Sequence, residues 1–96
     1  MSELIGTWQK QGSAACAASY PATLTILPGG QYRGTAATPG DYAVWDVGTW
    51  KEQAPGVVDI STANDAVIQY RYRRAGRELH FEDQQGCKIC YGAAQD

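Results

Sequence analysis

The sequence predicts an all-β domain: an eight-stranded antiparallel up-and-down (meander) barrel with no significant helix. Short runs of alternating apolar and polar residues recur along the whole chain, each bounded by turn-forming residues. Successive runs read as hairpins, which favours the up-and-down form, and eight strands can close on themselves and leave no exposed edge. The segment Gly6-Thr7-Trp8-Gln9-Lys10-Gln11 is nearly repeated as Gly48-Thr49-Trp50-Lys51-Glu52-Gln53. Likewise Gln31-Tyr32-Arg33 reappears as Gln69-Tyr70-Arg71. Such echoes are expected if strands one to four and five to eight form two similar halves.

Taken in order, residues 4–11 alternate with Leu4, Gly6 and Trp8 on one face, giving the first strand. Residues 12–21 are small and without period, and Pro21 ends them; they read as a loop with at most a single helical turn. Residues 22–27 carry Leu24 and Ile26 on one side. Pro28-Gly29-Gly30 is the plainest turn, because Pro presets φ and Gly tolerates positive φ. The returning arm is 31–36, and Thr38-Pro39-Gly40-Asp41 breaks the pattern. A long strand is expected over 42–53, with Gly48 and Trp50 on the face opposite Trp45, Val47 and Thr49. The missing side chain at Gly48 invites a bend or the close approach of a backbone or ring. Residues 57–61 place Val58 and Ile60 inward, and Ala63-Asn64-Asp65 suits a hairpin. Residues 66–73 point Ile68, Tyr70 and Tyr72 inward, 78–82 point Leu79 and Phe81 inward, and 87–92 point Cys87, Ile89 and Tyr91 inward. Residues 93–96 read as a frayed tail.

The 96 residues make one domain, spanning 1–96, with a modest core. Three Trp, six Tyr and one Phe supply much of the apolar volume, so the core is a few large rings among small residues. Eight basic against ten acidic residues leave a net charge of −2, which argues against nucleic acid as a partner. Arg71, Arg73, Arg74 and Arg77 read as a solvated strand face. No apolar run reaches the ~20 residues of a membrane-spanning helix, and no leader pattern opens the chain. The expected location is therefore the cytoplasm as the chain is written, or the periplasm or exterior for a mature form without its leader. A monomer is expected.

The Gly6-Thr7-Trp8 signature on the first strand of an eight-stranded meander resembles the calycin group: lipocalins, avidins and the small barrel inhibitors of bacterial metalloproteases. The stretch from Leu24 to Tyr32 is similar to the second hairpin of short bacterial lipocalin-like domains. The resemblance implies that Trp8 plugs one end of the barrel. The chain is shorter than true lipocalins, with no place for their C-terminal helix or lid loop. The polar and Trp set of an avidin biotin site does not align, so biotin binding does not carry over.

No catalytic set stands out, and the expectation is a non-enzyme. One histidine, His80, sits on a regular strand facing outward between Glu78 and Glu82, and reads as a surface residue. Cys87 and Cys90 point to opposite faces of a strand, which argues against shared metal ligation, and neither metal nor cofactor is expected. If strand eight pairs antiparallel with strand one, Cys87 falls near Cys16; a Cys16–Cys87 disulfide and free thiols both remain open. Three functional readings follow. The first is a lipocalin-like binding module taking a small, partly apolar ligand at the open end, lined by Trp50, Tyr70, Tyr72 and Phe81. The alternative is a protein-interaction module resembling the barrel protease inhibitors, with Tyr20, Tyr42 and Trp45 as exposed contacts near one rim. The third is thiol redox or metal sensing through the three cysteines.

Overall fold

The computed structural model describes residues 4–12, 15–36, 45–62 and 66–94. Eight strands form a closed antiparallel barrel in chain order: β1 (Gly6–Gln11), β2 (Thr23–Ile26), β3 (Gln31–Thr35), β4 (Val47–Ala54), β5 (Val57–Ser61), β6 (Val67–Ala75), β7 (Glu78–Glu82) and β8 (Lys88–Ala93). The eight-stranded meander expected from the alternation is therefore the fold. The only helical element among the described residues is one 3-10 turn, Ala15–Ala17, between β1 and β2.

Turn chemistry explains why the hairpins form where they do. Gly30 adopts φ 88° and Gly56 φ 84°, a region closed to most side chains, so the two tight reversals β2–β3 and β4–β5 depend on them. These turns, with the β6–β7 turn, define one end of the barrel. The opposite end carries the longer connections: β1–β2, β3–β4, β5–β6 and β7–β8.

Closure joins β1 to β8 with Trp8 opposite Ala93 and Gln11 opposite Cys90. Trp8 is not opposite Ile89, which faces Phe81 on β7 nearer the other end of β8. That register also corrects the reading of a frayed tail. Ala93 belongs to β8 and the Ala94 N–H donates to Thr7 O at 3.0 Å, while 95–96 lie outside the described residues.

Two further expectations fail. The echoed segments fall on β1 and β4, and on β3 and β6. Strands three apart in a meander run in opposite senses, so the repeats do not divide the barrel into equivalent halves. The fourth strand begins at Val47, not at residue 42; residues 37–44, including Tyr42, and the 63–65 turn lie outside the described residues. Trp45 therefore precedes the ladder, and the alternation that put it on the outer face does not govern it. It is fully buried, at 0% exposure.

The core is a stack of rings closed at both ends. At the turn end the Trp8 indole N–H donates to Leu4 O at 2.9 Å, and the Arg74 guanidinium lies 5.1 Å from the ring centroid. Arg74 stays exposed, as do Arg71, Arg73 and Arg77, while its guanidinium covers the indole. At the loop end Trp45 packs edge-on against Tyr20, Tyr70 and Phe81, with centroids 4.7, 5.0 and 5.0 Å away, and stacks on Tyr91 at 6.4 Å. Glycine makes room for this packing. A Cβ at Gly34 would collide with the Trp45 carbonyl and lie 2.8 Å from Pro21, and one at Gly48 would meet the Ser61 carbonyl and the Tyr32 ring. The close approach expected at Gly48 is realised.

Candidate functional site

The four residues expected to line an inner ligand site share the interior, but only Trp50 and Phe81 of them border the same small void. Tyr70 and Phe81 are buried at 1% exposure each, in contact with Trp45. Trp50 and Tyr72 are half-buried against the same core. Their polar atoms are already engaged. The Trp50 indole N–H donates to Leu27 O and Gln31 O at 3.0 and 3.1 Å. Tyr70 and Tyr20 hydroxyls pair at 3.2 Å, and the Tyr72 hydroxyl donates to Glu52 Oε2. The interior void beside Trp45, Trp50 and Tyr32 measures about 10 Å³, room for about one water.

The expected rim of exposed aromatics is also rearranged. Tyr20 and Trp45 are buried, at 9% and 0% exposure, and act as the plug of the loop end. Tyr42 lies outside the described residues. The exposed large apolar side chains among the described residues are instead Val47 and Val67. Both sit at the loop-end edge of the outer face, flanking the Thr49–Ser61 pair, with Ser61 directly opposite Val67.

The loop end is held rigidly. A disulfide joins Cys16, in the β1–β2 connection, to Cys87 at the start of β8, with Cα atoms 6.0 Å apart. This settles the alternative left open in the sequence, and it follows from closure. Lys10, which the sequence did not single out, reaches from β1 to donate to Ala17 O and Tyr20 O at 2.8 Å each. Burial lowers the pKa of its ammonium. Beneath it the Tyr91 hydroxyl donates to Pro21 O at 2.7 Å. Burial raises the pKa of Tyr20, Tyr32, Tyr70 and Tyr91; at Tyr70 the Tyr20 hydroxyl and nearby Trp45 indole partly offset it.

On the outside, β6, β7 and β8 carry cross-strand rows of polar groups. Arg71, Glu82 and Lys88 form one row, and Arg73, His80 and Cys90 the next, continued onto β1 by Gln11. A shallow depression of about 220 Å³ lies over the two rows. Glu78 follows His80 on the same face, its Oε1 3.1 Å from His80 Nε2. Sequence reasoning placed His80 and Cys90 outward but did not pair them; the signal was the short β7–β8 turn, which sets Glu82 against Lys88 and hence His80 against Cys90.

Comparison with known proteins finds no matching family model, no matching curated protein and no matching solved structure. Among the described residues no helix is long and apolar enough to cross a membrane.

Proposed function

We propose that this barrel is a non-enzymatic protein-interaction module of calycin type, nearer in use to the small barrel inhibitors of bacterial metalloproteases than to lipid carriers. The supporting observation is the filled interior. With Trp8 at one end, Trp45 at the other and about 10 Å³ between the rings, binding falls to the outer surface. A partner-binding surface profits from a base that does not deform, since less ordering has to accompany association. The Cys16–Cys87 bridge and the Lys10 bonds provide such a base at the loop end, where Val47 and Val67 are exposed.

Uptake of a small apolar ligand by Trp50, Tyr70, Tyr72 and Phe81 is the competing reading, and it requires those rings to move apart. One pair of titrations separates the two. Against a panel of bacterial extracellular zinc metalloproteases, the protein should give saturable inhibition that Val47→Lys, Val67→Lys or Tyr42→Ala weakens and Tyr70→Phe leaves intact. A hydrophobic fluorescent probe should produce no saturable quench of the tryptophans. A saturable quench with no protease complex would overturn the proposal.

A further inference from the structure

The outer face of β7 and β8 gathers three donors of different chemistry. Glu78, His80 and Cys90 each offer one ligand atom, and these atoms lie within 4.8 Å of one another. His80 and Cys90 are directly opposed across the ladder, and Glu78 lies on the His80 side of it, opposite Gly92. Such placement is rigid at the backbone, since all four positions are paired strand residues. Only side-chain rotations are needed to close the set around an ion. Two ligand atoms of one tetrahedral zinc sit about 3.3–3.8 Å apart at ordinary bond lengths. The His80–Glu78 separation of 3.1 Å is already close to that spacing.

We infer that Glu78, His80 and Cys90 form a zinc site with an open fourth position. Thiolate, imidazole and carboxylate together suit a borderline-soft dication better than calcium or magnesium, which take oxygen alone. Binding replaces the Cys90 S–H bond by a zinc–sulfur bond and releases that proton to solvent, with no change of oxidation state. The fourth position falls to water. Gln11 serves as the outer partner: its Oε1 accepts the Cys90 thiol hydrogen at 3.8 Å, and its amide nitrogen lies over Gly92. When the thiol gives up its proton, the amide N–H of Gln11 can turn to support the thiolate. Arg73, opposite His80 on β6, works against a dication and limits the affinity. The disulfide removes Cys16 and Cys87 from the set, so metal sensing through all three cysteines gives way to a site that uses Cys90 alone. The inference is independent of the contact proposed above.

The test uses the full chain with its disulfide intact, titrated with Co²⁺ and Zn²⁺ alone. One cobalt per chain should bind with a thiolate charge-transfer band that Zn²⁺ displaces. Cys90→Ser should abolish the band, and His80→Ala and Glu78→Gln should each weaken binding by at least the about 10–100-fold that loss of an outer partner costs. Glu82→Gln, in the neighbouring row, should leave it unchanged. In the unsubstituted protein Zn²⁺ should also protect Cys90, the one free thiol, from alkylation. Absence of the charge-transfer band, or zinc binding that persists unchanged in Cys90→Ser and Glu78→Gln, would overturn the site.

Discussion

Single residues decide how the two ends of this barrel are filled. Trp8 and Trp45 bury similar rings, but the Trp8 N–H is bonded to Leu4 O at 2.9 Å whereas the Trp45 N–H lies near the Tyr70 hydroxyl without forming a hydrogen bond of ordinary geometry. Replacing either by Phe removes comparable apolar area, so the difference between the two variants reports the hydrogen bond. Trp8→Phe should be the more destabilising by about 1 kcal/mol in urea unfolding. Equal losses would show that the Leu4 bond is worthless in water. Gly34 makes the complementary point. An added methyl there meets the Trp45 carbonyl and the Pro21 ring, neither of which is the free end of a flexible chain. Gly34→Ala should cost about 1–3 kcal/mol, and the near-ultraviolet circular dichroism of the buried indole should change with it. An unaltered spectrum and midpoint would mean that the β3–β4 connection yields easily.

At the scale of elements, the strongest constraint is the bridge between the β1–β2 connection and β8. The cysteines are 71 residues apart, so the bridge closes most of the chain into one loop. Loop-closure entropy for that length amounts to about 4 kcal/mol, an upper figure for what is realised. The Cys16→Ser, Cys87→Ser double variant should therefore lose about 2–4 kcal/mol while keeping the β-sheet circular dichroism, because the eight ladders do not depend on the bridge. Loss of the sheet signal instead would mean that the ladders cannot close without it. The strands themselves were legible because their signals are local: Pro28-Gly29-Gly30 and the alternation over β5–β8 each fix a reversal or a face without reference to anything distant. The faces of Ile68, Tyr70, Leu79, Phe81, Ile89 and Tyr91 followed from the same period. Trp45 was misplaced because alternation carries meaning only inside a ladder, and the ladder of β4 starts two residues later. The clue lay on another strand, in the small residue at Gly34 that admits its backbone. The Glu78–His80–Cys90 cluster was hidden for a related reason. Its members are separated in sequence and meet through cross-strand register, which a list of faces does not contain.

For the molecule as a whole, the consequence of filling a barrel with tyrosine is a sharp alkaline limit. Tyr20, Tyr32, Tyr70 and Tyr91 are buried, and burial raises the pKa of each above the ordinary tyrosine value of about 10. Folded, they hold their protons at a pH where the unfolded chain has released them. Their contribution to stability is thus complete below about pH 10 and declines as pH rises beyond it, because the unfolded state then binds fewer protons than the native one. Each such group removes up to roughly 1.4 kcal/mol per pH unit in that window, so several acting together steepen the loss. A domain with an ordinary total stability of about 5–15 kcal/mol is thereby driven toward its midpoint as pH rises above about 10. The Tyr32 and Tyr91 hydroxyls donate to Ser61 O and Pro21 O, and those of Tyr20 and Tyr70 pair with each other, so ionising any of the four disrupts a hydrogen bond inside the packed rings. Tyrosinate absorbance and far-ultraviolet circular dichroism followed together should therefore show these four tyrosines ionising in one cooperative step that coincides with loss of the sheet. If all the tyrosines titrate smoothly around pH 10 while the circular dichroism stays native, water reaches the rings in the folded state and the interior is not the sealed stack that assigns binding to the outer surface.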